Sequence, residues 1–412
     1  MSPLLAHRLR TLSVRKLVRI AMSLTARGIY ASLFPFAYVA VQVYAKLNDK
    51  QYRFGIVNLS SIGGSLMLDA FLRRTRDHSK NIRYIFVLRY GPVINPYFYE
   101  LMKRHVTVIE TPLLRFFLTS LVRVPNPLCV TDLLDYIGPT EVGQYPPTNW
   151  FNKQDHMRGR TLLEKLGVTA PDAWYVCFFA RDNSYNETYN TGDERNYNLT
   201  YHSSRNSDID TYEDAIKFVL EQGGYVIRMG MVVSKPVGFK HPRLIDYPFS
   251  EFRSDFADVY LMCHGKFVIG CGSGIVDLSS IVDMPLGCVN NYLFWLGYER
   301  ENMIFIPKMI QSTVTGKYLS TASYQRLFAK GTGADNIIVH IGIMKKNKLR
   351  YVNNSPADIL FITTAMHQKF IKTRDGCDRH LGREGQIWPE FFVQRPELLS
   401  NEAFVAPTDT PN

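Results

Sequence analysis

Residues 201–230 read YHSSRNSDIDTYEDAIKFVLEQGGYVIRMG, a loop, a helix and a strand in immediate succession. His202, Ser203, Ser204, Arg205 and Asn206 make a polar, hydrogen-bonding loop. Asp208 or Asp210 can then cap a helix whose apolar face is residues 215–220. Gly223 and Gly224 stop that helix, and YVIRMG comes next as a buried strand that carries Arg228 and ends at Gly230. An arginine at a strand end beside an arginine-bearing loop brings two guanidiniums to one sheet edge. Their forked donors match the oxygens of a diphosphate. The DID triplet, Asp208 and Asp210, also invites a metal-dependent DxD reading, but helix capping already accounts for the pair, and no metal is expected.

The same strand–loop–helix pattern continues to either side. After the helix RTLLEKLG, WYVCFFARD is a strand that ends in Arg181 and Asp182, and a long polar loop succeeds it. Beyond RLIDY, which holds Asp246, the segment EFRSDFADVYLMCH is helical, KFVIG is a strand, CGSG a tight turn, IVDLSSIVD a helix and PLGCVN a strand. The turn Gly272, Ser273, Gly274 joins strand to helix, so free backbone N–H groups and the Ser273 hydroxyl can meet an anion there. Its bland alternative is simple chain reversal. Loops after parallel strands emerge at the carboxyl edge of the sheet, where open α/β sheets bind ligands. Arg181, Ser204, Asn206, Gly230 and Asp246 therefore join Gly272, Ser273 and Gly274 as the nucleotide-facing set, with Asp246 an acceptor for sugar or ribose hydroxyls. Arg205, Arg228 and His202 are the candidates for chemistry, His202 as phosphate donor or base. For each arginine the competing account is a surface ion pair.

Nearer the N-terminus a second series has the same grammar. FGIVNL is a strand, SSIGGS a glycine turn, LMLDAFLRR a helix, YIFVLRY a strand, PYFYELMKRH a helix, VTVIE a strand and LRFFLTSLVR a helix. Such alternation predicts a parallel sheet covered by helices. Gly63, Gly64 and Ser65 make a polar turn suited to close approach by an acceptor, with Arg89 and Asn95 facing the same cleft. The proline-rich segment 124–149 lacks any sustained period and is the linker. The expected fold is α/β, with two Rossmann-like domains facing a cleft. Residues 1–50 form a basic and apolar helical segment that associates with membrane. Residues 51–150 form the acceptor-side domain and linker, 151–350 the donor-side domain, and 351–412 a C-terminal helix and tail, a candidate to cross back to the first domain.

A chain of 412 residues with 46% hydrophobic content can bury two cores, and its net charge of +11 favours an anionic partner. Nucleic acid is not that partner: zinc-finger spacing and an RNA-binding aromatic signature are both missing. The six cysteines form no CxxC pair and suit buried thiols in a reducing compartment. No Ser-His-Asp order, paired glycosidase carboxylates or Walker loop is present.

Residues 7–19, HRLRTLSVRKLVR, place basic side chains among Leu and Val at helical spacing, as in helices that lie on a membrane surface. The uncharged run 28–44, GIYASLFPFAYVAVQVY, is broken by Pro35 and short for a span of about 20 residues. Without a small-residue cleavage site it is not a signal peptide. An interfacial anchor leads over a true span and over a helix packed on the protein itself. The expectation is a cytoplasmic protein held peripherally on the inner (plasma) membrane. The alternative is a single-span type II membrane protein, whose sequons at Asn58, Asn186 and Asn198 would face outward.

The elements YHSSRNSDIDTYEDAI, GGYVIRMG, LIDYPFSEFRSDFADVYLMC, KFVIGCGSGI and PLGCVNN, with weaker likeness around GPVINPYFYELMKR, resemble a family of bacterial glycosyltransferases found with surface-polysaccharide genes. The resemblance implies a two-domain GT-B arrangement, with a nucleotide-sugar donor in the C-terminal domain and a glycan or lipid-linked acceptor in the N-terminal one. The loop YHSSRN also looks like the arginine loop of GT-B fucosyltransferases, with Ser204 where those enzymes have a second arginine. The likeness implies sugar transfer without a separate cofactor, the nucleotide sugar being itself the donor substrate. A nucleotide-sugar epimerase or hydrolase of the same fold, and a non-catalytic membrane-bound binding protein, are the rival classes.

Overall fold

A computed structural model describes residues 14–57, 59, 62–75, 81–88, 93–129, 145–189, 204–291, 302–319 and 337–372. The chain divides into two compact units, residues 1–138 and 139–412.

The first unit opens with α1 (Val14–Leu47), which runs through Pro35 as one helix of 34 residues. Then come β1 (Gln51–Val57), α2 (Ile62–Thr75), β2 (Ile82–Leu88), α3 (Pro96–Lys103), β3 (Thr107–Ile109) and α4 (Pro112–Arg123). The three strands pair in the order β1-β2-β3, all parallel, with Phe54 opposite Ile85 and Ile85 opposite Thr107. Each parallel step needs a crossover, and α2 and α3 supply them. One face of the sheet packs Tyr52, Phe54 and Val87 against Leu118 and Leu121 of α4 and Ala37 of α1. That packing carries α1 past its proline: Phe34, Tyr38, Val41 and Ala45 all rest on this cluster. A proline costs an interior helix about 3 kcal/mol, comparable to burying one or two such side chains. By length and composition residues Met22–Leu47 are long and apolar enough to cross a membrane, which the uncharged run alone did not suggest.

Gly63, Gly64 and Ser65 lie in the first turn of α2, where the sequence predicts a loop. Helix growth is cooperative, and the apolar periodicity of LMLDAFLRR draws two glycines in at about 1 kcal/mol each.

The second unit contains α5 (Lys153–Lys165), β4 (Tyr175–Phe179), α6 (Ser184–Tyr189), α7 (Glu213–Glu221), β5 (Tyr225–Arg228), β6 (Leu244–Asp246), α8 (Asp255–His264), β7 (Val268–Gly270), α9 (Gly274–Asp277), β8 (Leu286–Asn291) and β9 (Met303–Pro307). It continues with β10 (Met309–Ser312), α10 (Ile337–Lys346), β11 (Leu349–Val352) and α11 (Pro356–His367). Six strands form one parallel sheet in the order β6-β5-β4-β7-β8-β9, and β10 pairs antiparallel with β11. Every residue of β4 is buried, as a central parallel strand covered on both faces requires. From β4 the chain winds outward to β6, then returns to place β7 on the other side of β4. The order therefore reverses between β4 and β7, the doubly wound pattern.

A Ser355–Asp358 capping box starts α11, and its stripe of Ile359, Ile362 and Met366 is fully buried in the second unit's core. Gly287 of β8 permits this, because a Cβ there would meet Ile362 at 2.8 Å. The helix packs on α7 and β8 of its own unit, a placement that apolar periodicity alone does not select.

Candidate functional site

The reversal point lies where β4 ends at Phe179 and β7 ends at Gly270. These strand ends touch closely: a Cβ on Gly270 would meet Val276 Cγ2 at 2.8 Å and the Phe179 carbonyl at 3.3 Å. Just beyond them the backbone N–H of Arg181 donates to Cys271 Sγ at 3.2 Å, and the N–H of Ser207 donates to the Arg181 carbonyl at 2.8 Å. The loop after residue 203 is thus tied across both strand ends. Its Arg205 lays two guanidinium donors on the Gly272 carbonyl, Nε at 3.2 Å and Nη2 at 2.8 Å. Asn206 Nδ2 donates to Asn183 Oδ1 at 2.6 Å, which ties the loop to the start of α6 as well. Arg181, Ser204, Arg205, Asn206 and Gly272, distant in sequence, meet at the carboxyl edge of the sheet.

One functional candidate here escaped the sequence. Lys308 directly follows β9, is nearly buried, and donates from Nζ to the Asn206 carbonyl at 2.5 Å. It makes no ion pair among the described residues, and burial pushes the pKa of its ammonium down to about 8. In IPKMI a lone lysine between apolar residues reads as a solvated strand end. Only the outermost strand's place in the sheet shows that it faces the arginine loop.

Arg228 ends in a different environment. Its side chain is 1% exposed and lines a cavity of about 340 Å3 with Ala180, Asp182, Ser207, Ile209 and Lys235. Arg228 Nη1 sits 3.0 Å from Asp246 Oδ1, and Nη2 donates to the Lys235 carbonyl at 3.3 Å. Burial lowers its pKa, opposed first by Asp246. Asp246 also accepts the Val237 N–H at 2.9 Å, so the carboxylate expected to meet sugar hydroxyls is engaged by protein donors. Arg228 Nε is buried without a hydrogen-bond partner among the described residues. Asp182 accepts the backbone N–H groups of Ser184 and Ser234, at 3.0 and 2.7 Å.

The two carboxylates of the DID triplet share a cation, but it belongs to a lysine. Lys235 Nζ lies 2.7 Å from Asp208 and 2.5 Å from Asp210. That contact is the leading cause of a lowered Asp208 pKa. Among the described residues no cluster of three His, Cys, Asp or Glu side chains is placed to hold a metal.

The glycine turn has a smaller helix behind it than the sequence suggests. Ser273 occupies the cap position of α9, which lasts four residues before a 3-10 stretch, Leu278–Val282. So short a helix sums few peptide dipoles, and the turn's polarity rests on its own backbone groups. Gly230 has φ +154°, and a Cβ there would meet Val233 at 2.6 Å, which gives this glycine a packing role.

Of the acceptor-side candidates, Gly63, Gly64 and Ser65 are helical, and Asn95 caps α3, its buried Oδ1 accepting the Phe98 N–H at 2.7 Å. Arg89 and His202 lie outside the described residues.

No family model and no curated protein matches this sequence. Among solved structures it is similar to a family 9 glycosyl transferase from Veillonella parvula DSM 2008, at 12% identity and TM-score 0.40 over 77% of this chain and 97% of that one. It is also similar to E. coli ADP-heptose LPS heptosyltransferase II, at 10% identity and TM-score 0.36 over 71% and 99%. A third is E. coli heptosyltransferase WaaC with ADP-2-deoxy-2-fluoro heptose, at 15% identity and TM-score 0.32 over 61% and 91%.

Proposed function

We propose that the protein is a glycosyltransferase that moves a sugar from a nucleotide-sugar donor to a glycan or lipid-linked acceptor in the synthesis of surface polysaccharide. The observation that carries this reading is the seating of Arg205 on the Gly272 turn at the point where the strand order reverses. On this reading a guanidinium seated on the Gly272 turn and a buried ammonium bonded to the arginine loop lie where a diphosphate would leave. Charge that develops on the leaving group is stabilised by donors already fixed in position. Arg205 and Lys308 are the cationic pair for that task, with Ser204, Asn206 and Ser273 as hydrogen-bonding neighbours. Arg228 acts from the adjacent cavity, where it orders Asp246 and the backbone at Lys235.

Transfer on this reading needs no divalent metal, since Lys235 already neutralises Asp208 and Asp210. The chain works at the cytoplasmic face of the membrane, held there through its N-terminal helix.

The test is transfer from a panel of ADP-, UDP-, GDP- and CMP-linked sugars, with nucleoside diphosphate affinity measured alongside. Arg205→Ala should cut transfer on the order of 100-fold with an unchanged melting temperature. Near-normal transfer by that variant defeats the proposal. Donor consumption without any acceptor product would point instead to a hydrolase or epimerase. Full activity in excess chelator is expected.

A further inference from the structure

The first unit exposes apolar side chains on two adjacent helices. On α1 these include Phe36, Val39, Val43 and Leu47, with Phe36 72% and Leu47 79% exposed. At the start of α4 they are Leu113, 84% exposed, Leu114 and Phe116. The helices are in contact, the Tyr30 and Phe116 rings lying 5.5 Å apart between centroids. A surface helix in water keeps a polar outer face, and one that is apolar all round is covered on every side. From residue 28 to 45 α1 has no charged residue; the protein covers its inner stripe, and among the described residues of this unit none covers the outer one.

We propose that α1 and the first turn of α4 together form a docking face that lies in the headgroup boundary of an anionic lipid bilayer, and that α1 does not cross it. The proposal rests on the membrane-association reading above and adds to it the second helix and the mode of insertion. Charge supports the choice of partner. Arg27 and Lys46 bracket the apolar stretch, and the basic segment 7–19 precedes and enters α1. A second copy of the chain would bring like charges together, whereas anionic headgroups neutralise them.

Packing argues against a span. Ala37 is fully buried, Phe34, Tyr38, Val41 and Ala45 rest on the core of this unit, and Tyr44 meets Tyr52 at 5.5 Å. Those residues occupy the same length of helix that a span would surround with lipid. Crossing would either strip that stripe from the core or draw β1 and β2, with Arg53 and the exposed Arg83, to hydrocarbon depth.

The experiment is co-sedimentation of the full chain with phosphatidylcholine vesicles containing or lacking phosphatidylglycerol, followed by alkaline carbonate extraction of membranes from expressing cells. The wild-type chain should bind the anionic vesicles, more weakly in high salt, and should be released by carbonate. Leu113→Ser, Leu114→Ser and Phe116→Ser combined should lower partitioning at least tenfold. Phe116 also meets the Tyr30 ring, so Leu113→Ser alone and Phe36→Glu, at side chains 84% and 72% exposed, check the two helices separately with an unchanged melt. Resistance to carbonate would show a span and overturn the proposal. Unaltered binding by the triple variant would remove α4 from the face and leave N-terminal anchoring intact. No binding by the wild type would overturn both, and a dimer broken by the triple variant would assign the face to a second copy. Nucleoside diphosphate affinity is unchanged in every arm, which separates this test from that of the transferase reading.

Discussion

At the scale of single residues, the two arginines singled out by the sequence part company. Arg205 is half-buried and donates to a backbone carbonyl at the reversal point. Arg228 is buried beside Asp246 and holds the strand ends together. Removing one partner of a buried ion pair leaves the other charge uncompensated. Arg228→Ala is therefore expected to cost about 3 kcal/mol in urea unfolding, whereas Arg205→Ala should leave stability unaltered. Equal melting curves for Arg228→Ala and wild type would count against this division. From sequence the two look alike, each an arginine at a predicted strand or loop end. What separates them is Asp246, 18 residues further on, brought alongside by the pairing of β5 with β6. Lys308 shows the converse: nothing near it in sequence is acidic or polar enough to mark it, and its partner Asn206 comes from 102 residues away.

At the scale of elements, α8 carries two groups whose titrations oppose one another. Burial raises Asp258 from 3.8 to about 6, although it accepts a hydrogen bond from Tyr247 at 2.8 Å. The folded state then holds the extra proton between those values, and stability falls as pH rises through them. His264 is pushed the other way, from 6.5 to about 4, by burial against Tyr260, whose ring lies 3.8 Å away. There the unfolded state holds the extra proton, and stability rises with pH over that range. Each effect is worth up to about 3 kcal/mol, so between about pH 4 and 6 they largely cancel. Asp258→Asn should unmask the His264 slope as a melting temperature that climbs from about pH 4 to 6.5, where wild type stays flatter. Parallel profiles would disprove it. Most helices and central strands of both units were legible from apolar periodicity. β6, β9 and the β10–β11 pair were not, because short edge and hairpin strands take their pairing from neighbours rather than from a pattern of their own.

At the scale of the whole molecule, the residues around the reversal point all belong to the unit formed by residues 139–412, which has its own core. That unit expressed alone should fold and hold nucleoside diphosphate within about threefold of the full chain's affinity. Calorimetry and titration would check both, and a collapsed or non-binding fragment would refute it. Freed of α1 and α4, it should also fail to sediment with anionic vesicles.

The α/β class, with parallel sheets built from alternating strands and helices, was already written in the sequence, as was the emergence of polar loops at one sheet edge. These are consequences of local periodicity and of the rule that parallel strands share a direction. Which charges are taken up within the protein depends on its tertiary structure. Arg228 is taken up by Asp246, Asp208 and Asp210 by Lys235, and the inner face of α1 by its own unit. Partners in an ion pair or a packed stripe are chosen by the register of strands and the seating of helices, and a residue's own neighbours in the chain do not encode them.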